Sequence, residues 1–330
     1  MIRSIVVAAG LAASVSMAVA QEYPERELLG VIMWGAGGAT DVVARAVTPA
    51  AEEALGQKIV MLNKAGAAGA ISTTYVASAP SDGYTILFGA ENPQLHGVMG
   101  LGEIDYNQFY PVNILGRGVG VIVTSPDSPW ESFADVVADA QSRPGEIKMG
   151  STGPGGIPYV IGAMLSTVAD YEVTAVPFDG EGPGLTALQG GHVDFMPVGA
   201  SAAAELIKAG TVKPLAVFNT EEIDALPGVP PITEDYPELS SLLPWGPFYG
   251  VFVKADTPDD VKAKLTEAFK TAADTEAFKT LMADRTNITM NISGEEADAF
   301  LKQWQSATAW TLADAGAVER SPEELNIPRP

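Results

Sequence analysis

Gly35, Gly37 and Gly38 stand immediately before Ala39, Thr40 and Asp41. Here the apolar run Leu29, Val31, Ile32, Met33 and Trp34 gives way to a segment with apolar residues at Val42, Val43, Val47, Ala50, Ala51 and Leu55. A strand passing through glycines into a helix leaves the first helical N–H groups without acceptors and pointing out of the loop. With the helix macrodipole they attract an anion, and the glycines let a ligand approach the backbone. Gly150-Ser151-Thr152-Gly153-Pro154-Gly155-Gly156 repeats the arrangement after a short strand expected at Ile147 to Met149. Neither nucleotide motif is complete at the first loop. A Walker loop would place Gly-Lys-[Ser/Thr] where Ala39 and Thr40 stand, and a dinucleotide fingerprint would have a third glycine at Thr40. Taken alone, the first loop fits a plain strand-to-helix turn equally well.

Bond-breaking chemistry has less to work with. The histidines are His96 and His192, and a Ser151, His96, Asp41 set can be written down as the nucleophile, base and orienting acid of a secreted hydrolase. No His-Glu-x-x-His, calcium loop or Gly-x-Ser-x-Gly elbow accompanies it, and the chain has no cysteine. Binding is therefore expected rather than catalysis, with no metal and no cofactor.

The elements that must position the loops follow from periodicity. Ile59 to Asn63 and Tyr84 to Gly89 read as strands with a helix at Ala70 to Ala79 between them, so the first third is βαβαβ with a parallel sheet. Ligands of such sheets sit beyond the carboxyl ends of the strands, which puts Glu91 and Asn92 on the same rim as the first loop. A second cycle starts with Val119 to Thr124, a helix at Trp130 to Gln141 stopped by Pro144-Gly145, and strands at Val173 to Val176, Val193 to Met196 and Val212 to Val217. Phe248 to Val253 repeats the character of Val119 to Thr124, as expected for a hinge of two crossing strands. Helix starts at Thr257-Pro258-Asp259-Asp260 and Ser293-Gly294-Glu295-Glu296 carry acids in the first turn. Those helices are expected to pack on the first lobe. The expected fold class is α/β, two-lobed, of the type II periplasmic binding protein (Venus flytrap) design. Lobe 1 spans residues 21–123 plus 247–330, and lobe 2 spans 124–246.

Several of these segments occur in the order of a known family. Gly37-Gly38-Ala39-Thr40-Asp41-Val42-Val43-Ala44-Arg45, Leu55-Gly56-Gln57, Asn63-Lys64-Ala65-Gly66-Ala67-Ala68-Gly69 and Ala79-Pro80-Ser81-Asp82-Gly83-Tyr84-Thr85 are followed by Gly150-Ser151-Thr152-Gly153, Val176-Pro177-Phe178, Gly190-Gly191-His192-Val193-Asp194 and Leu226-Pro227-Gly228-Val229-Pro230. The chain thereby resembles the extracytoplasmic solute receptors of the tripartite tricarboxylate transporters, the Bordetella uptake gene family. The resemblance implies that backbone groups and bridging waters of both loops hold a carboxylate. Delivery to the membrane components of the transporter is also implied. Carried over residue by residue, the binding positions are Ala36, Gly37, Gly38, Ala39, Thr40 and Asp41 in lobe 1, and Ser151, Thr152, Gly153, Gly155 and Gly156 in lobe 2. Two positions depart from the family: Tyr159 stands where His is frequent, and Phe178-Asp179-Gly180 replaces a common Tyr-Lys-Gly. Trp34 and Phe178 could line the pocket, although a tryptophan at a strand end is at least as often core. Asp179 beside Glu181 argues against a ligand of high negative charge if it faces the cleft, and is neutral to the question if it faces solvent.

Composition bounds the rest. Met1-Ile2-Arg3, the apolar run from Ile5 to Ala13 and the small-x-small site Ala18-Val19-Ala20 read as a signal peptide over residues 1–20, so the expected location is the periplasm. A formal charge of −22 disfavours nucleic acid and anionic membrane as partners. The expected partners are a small organic acid and the transporter's membrane components, with the receptor a monomer. Asp41, Glu91, Asp179 and Glu181 near the expected cleft, with few cations, favour three ligand classes over citrate. These are a monocarboxylate, a weakly charged dicarboxylate, and a zwitterion whose ammonium meets Asp179 or Glu91.

Overall fold

The computed structural model describes residues 23–152, 155–178 and 181–330; the expected signal peptide lies outside them. The chain begins with β1 (Leu28–Ile32), α1 (Ala39–Leu55), β2 (Ile59–Asn63), α2 (Ala70–Ala77) and β3 (Thr85–Ala90). β1 pairs in parallel with both β2 and β3, which is the βαβαβ unit the periodicity predicts. Next come β4 (Phe109–Arg117) and, across a short connection at Gly118-Val119, β5 (Gly120–Thr124). The second lobe continues with α3 (Phe133–Ser142), β6 (Lys148–Ser151), α4 (Ile157–Ser166), β7 (Thr174–Pro177), α5 (Glu181–Gln189), β8 (Phe195–Gly199), α6 (Ala200–Lys208) and β9 (Lys213–Phe218). After a return crossing at Gly246-Pro247 the chain forms β10 (Phe248–Lys254), α7 (Asp259–Ala273), α8 (Glu276–Asp284), β11 (Ile288–Ile292) and α9 (Gly294–Asp314).

Two sheets result, ordered β11-β4-β10-β3-β1-β2 and β7-β6-β8-β5-β9. β5 pairs along its whole length with β8 and β9. The expected boundary at residue 123 therefore falls inside a strand of the second sheet, and the first crossing is at Gly118-Val119. The crossings touch, since the Gly118 N–H donates to Pro247 O at 2.7 Å.

Several expectations need correction. β4 is almost fully buried and pairs with β10, yet Pro111 and Asn113 hide it from an apolar-run reading. A β-bulge beside Phe252, which faces Pro111, is the kind of irregularity at which a strand tolerates a residue with no N–H. α8 and β11 are likewise absent from the sequence reading: α8 is short, and β11 is a half-buried, irregularly paired edge strand without clean alternation. α3 starts at Phe133 rather than Trp130, because Ser132 and Asp135 form a capping box.

α9 departs from expectation in what it packs on. It lies against β4 of the first sheet and also against α4 of the second lobe. Trp304 stacks on Trp245 with ring centroids 6.0 Å apart and donates from Nε1 to Gly246 O, while Trp245 Nε1 donates to Thr308 Oγ1. The return crossing is thus held against the terminal helix by buried aromatic rings whose polar atoms are satisfied.

Candidate functional site

The first loop is built as the glycines predict. Gly37 has φ +81°, a conformation that side chains other than glycine rarely adopt. Gly38 is the N-cap of α1 with no side-chain hydrogen bond, and Val42 is the first residue whose N–H reaches back to it. The N–H groups of Ala39, Thr40 and Asp41 therefore precede the helical hydrogen-bond ladder. In the second lobe Gly156 is the N-cap of α4, and Val160 N–H is the first to return to it. Pro158 removes one donor from that turn, leaving Ile157 and Tyr159 to offer theirs.

Both helix starts open on one cleft of about 680 Å³ between the lobes. Ala36, Gly38, Ala39 and Thr40 line it from the first loop, Glu91 and Asn92 from the end of β3, and Thr152 and Gly156 from the second loop. Gly153 and Asp179 lie outside the described residues.

Other expected site residues make contacts within the protein. Asp41 is buried; its Oδ2 accepts from Gly37 N–H at 2.9 Å, and its Oδ1 accepts from Arg45 Nε and Asn63 Nδ2, each at 2.8 Å. Burial works to raise its pKa. The Gly37 N–H, Asn63 and Arg45 outweigh it, so the carboxyl is held below its ordinary value. The Asn63 amide also donates to Trp34 O. These bonds clamp the loop between α1 and the end of β2, with Gly37 as the residue clamped. Ser151 is buried at the end of β6 and donates from Oγ to Thr152 O. Phe178 packs on the second lobe's apolar core, and Gly155 makes a left-handed turn with φ +78°. The hydrolase set is not assembled, because His96 points its ring nitrogens at the carbonyls of Ile104 and Ala68, 3.0 and 2.9 Å away.

Trp34, named from the sequence as a lining candidate, is on the wall. Ala68, Ala90, Ile157, Pro158, Ser201, Pro247 and Tyr249 complete it, and they carry no local signal that separates them from core positions. Glu181, expected near the cleft from the sequence, lines it. As the first residue of α5 it reaches the cleft opposite Glu91, and its Oε1 accepts from Gly199 N–H at 2.6 Å. Burial pushes Glu91 up to about 7, with the charge of Glu181 adding to the rise and the N–H groups of Glu91 itself and Phe248 opposing it. Burial likewise pushes Glu181 up to about 7 against the Gly199 N–H. No lysine, arginine or histidine is among the described residues lining the cleft. Among the described residues no cluster of acids and histidines could hold a metal ion.

Residues 43–308 match the family model for the tripartite tricarboxylate transporter family receptor. Protein BugT of Bordetella pertussis is 29% identical over 279 residues, covering 82% of this chain and 83% of that protein. MatC from Rhodopseudomonas palustris, solved with bound malate, is 26% identical with a TM-score of 0.73, covering 89% of this chain and 100% of that one. A second R. palustris protein, solved with adipate, has a TM-score of 0.78 at 24% identity, covering 90% and 99%; that likeness is one of fold.

Proposed function

The chain belongs to the tripartite tricarboxylate transporter receptor family, and from that premise we propose that it captures a small organic carboxylate between its lobes and hands it to the transporter's membrane components. The family and the structural neighbours are solute-binding receptors, not enzymes. The observation that carries the proposal is that two helix starts from different lobes, at Gly38 and Gly156, line the same cleft. Each offers N–H groups with no helical acceptor, and each dipole favours an anion by ~0.3–2 kcal/mol. The lobes joined through Gly118-Val119 and Gly246-Pro247 close over the acid, which excludes water and strengthens those bonds. Malate in MatC supports a carboxylate as the ligand class. The signal-like N-terminus supports a periplasmic location, and we take the working unit to be a monomer.

The site comprises the first loop from Ala36 to Thr40, Glu91 and Asn92, and the second loop from Thr152 to Gly156, with Asp41 holding the first loop in shape. A melting-temperature screen of the purified protein against mono-, di- and tricarboxylates tests the proposal. An acid at 100 times its dissociation constant stabilises the folded state by ~2.7 kcal/mol and raises the melting point. Steady turnover of a bound acid, or no stabilisation by any carboxylate, would overturn it.

A further inference from the structure

Glu91 and Glu181 reach one cleft from opposite lobes, Glu91 from the end of β3 and Glu181 from the start of α5. Glu91 is 8% exposed, and its Oε2 receives no hydrogen bond from the protein. Asn92 beside it is 9% exposed, and its Oδ1 is equally without a donor. Each is a buried side chain lining the cleft with an unused acceptor, an arrangement that costs free energy unless something supplies hydrogens. Arg45, the cation nearest the first loop in sequence, is bound to Asp41 and Asn63 and does not line the cleft.

We infer that Glu91 and Glu181 form a subsite for a cationic nitrogen, so that the ligand is a small zwitterion with its carboxylate at the two helix starts and its ammonium between the two acids. This rests on the carboxylate-receptor reading of the same cleft and adds the class of the ligand's second group. An ammonium has three donors and no acceptor, so it complements Glu91 Oε2 and Asn92 Oδ1. A second carboxylate would bring acceptors to a wall whose unused atoms are acceptors, and a like charge to two carboxyl groups. Tyr249 lines the cleft near both acids, whose charges add to burial in raising its pKa. Because the acids belong to different lobes, the ammonium would tie the lobes together and favour closure.

The test is calorimetric titration of the purified protein with three- to six-carbon amino acids, each paired with its deaminated monocarboxylate and with the dicarboxylate of equal length. The panel is repeated on Glu91→Gln and Glu181→Gln, with melting curves to establish that each variant is folded. Expected is that the tightest ligand is an amino acid, about tenfold or more above its deaminated partner, and that each folded variant cuts this ratio about tenfold. A dicarboxylate as the tightest ligand, or a ratio unchanged in the variants, overturns the subsite; the wild-type panel alone decides the point if neither variant folds. Acids that bind without preference for the amine leave the receptor reading standing and remove this one. No binding by any member of the panel removes this subsite, and the receptor reading falls with it if the melting screen of mono-, di- and tricarboxylates is also negative.

Discussion

The carboxylate of Asp41 accepts the Gly37 N–H at 2.9 Å. An acid four residues along the chain therefore fixes the loop whose residues Ala36, Gly38, Ala39 and Thr40 line the cleft. Asp41→Asn replaces an acceptor of three hydrogen bonds by a group with one acceptor and two donors, set against Arg45 and Asn63. The expected loss of stability is about 1–3 kcal/mol at neutral pH, with weaker ligand binding, read by urea denaturation and titration. Since the folded-state pKa of Asp41 is lowered, its stabilising contribution is present above the ordinary carboxylate pKa and is lost as pH falls through the folded value. The difference between wild type and variant should shrink in acid.

Glu91 and Glu181 make the opposite prediction. Their pKa values rise from 4.5 to about 7, so between those values the folded protein keeps protons that the unfolded chain has released. Their stabilising contribution is complete below about 4.5 and is lost as pH rises through about 7. Glu91→Gln or Glu181→Gln, which cannot ionise, should each be more stable than wild type by on the order of 1–3 kcal/mol near pH 8, with little difference near pH 5. Denaturant titrations at the two pH values check this; equal differences at both would contradict it.

Gly38 separates binding from folding. Its φ of −72° suits any residue, but a Cβ there would sit 3.3 Å from Gly35 O and on the wall of the cleft. Gly38→Val should lower affinity for the ligand at least about tenfold while costing under about 1 kcal/mol of stability. Unchanged affinity would move the anion site off this loop. Gly153→Val tests the second loop by the same measurement.

The two crossings are in van der Waals contact at Gly246. A Cβ at that residue would meet Gly118 O at 2.1 Å, and backbone cannot step aside as a side chain can. Gly246→Ala should destabilise by about 1–3 kcal/mol and change the relation of the lobes. Thermal denaturation reads the first effect and solution scattering the second. In the wild type, saturating ligand should reduce the radius of gyration, and an unchanged profile would indicate a rigid cleft.

The two glycine loops were legible in the sequence because their requirements are local. A strand period, a left-handed turn at Gly37 and a helix period each constrain neighbouring residues, and the βαβαβ succession of the first third followed from the same patterns. β4 was not legible, because Pro111 and Asn113 break the apolar run; what makes it a strand is its burial between β10 and β11. Nor could residue type say that Asp41 would be spent on Gly37, Arg45 and Asn63, or that His96 would face two carbonyls.

The sequence by itself determined the two-lobed α/β class, the two glycine-led helix starts and the family. Only the tertiary structure decided that the crossings fall at Gly118-Val119 and Gly246-Pro247, that α9 spans both lobes, and that Glu91 meets Glu181 across the cleft. The physical reason is range. Backbone conformation is governed by residues a few positions apart, whereas burial, desolvation and the meeting of charges depend on which distant segments the packing of the lobes brings together.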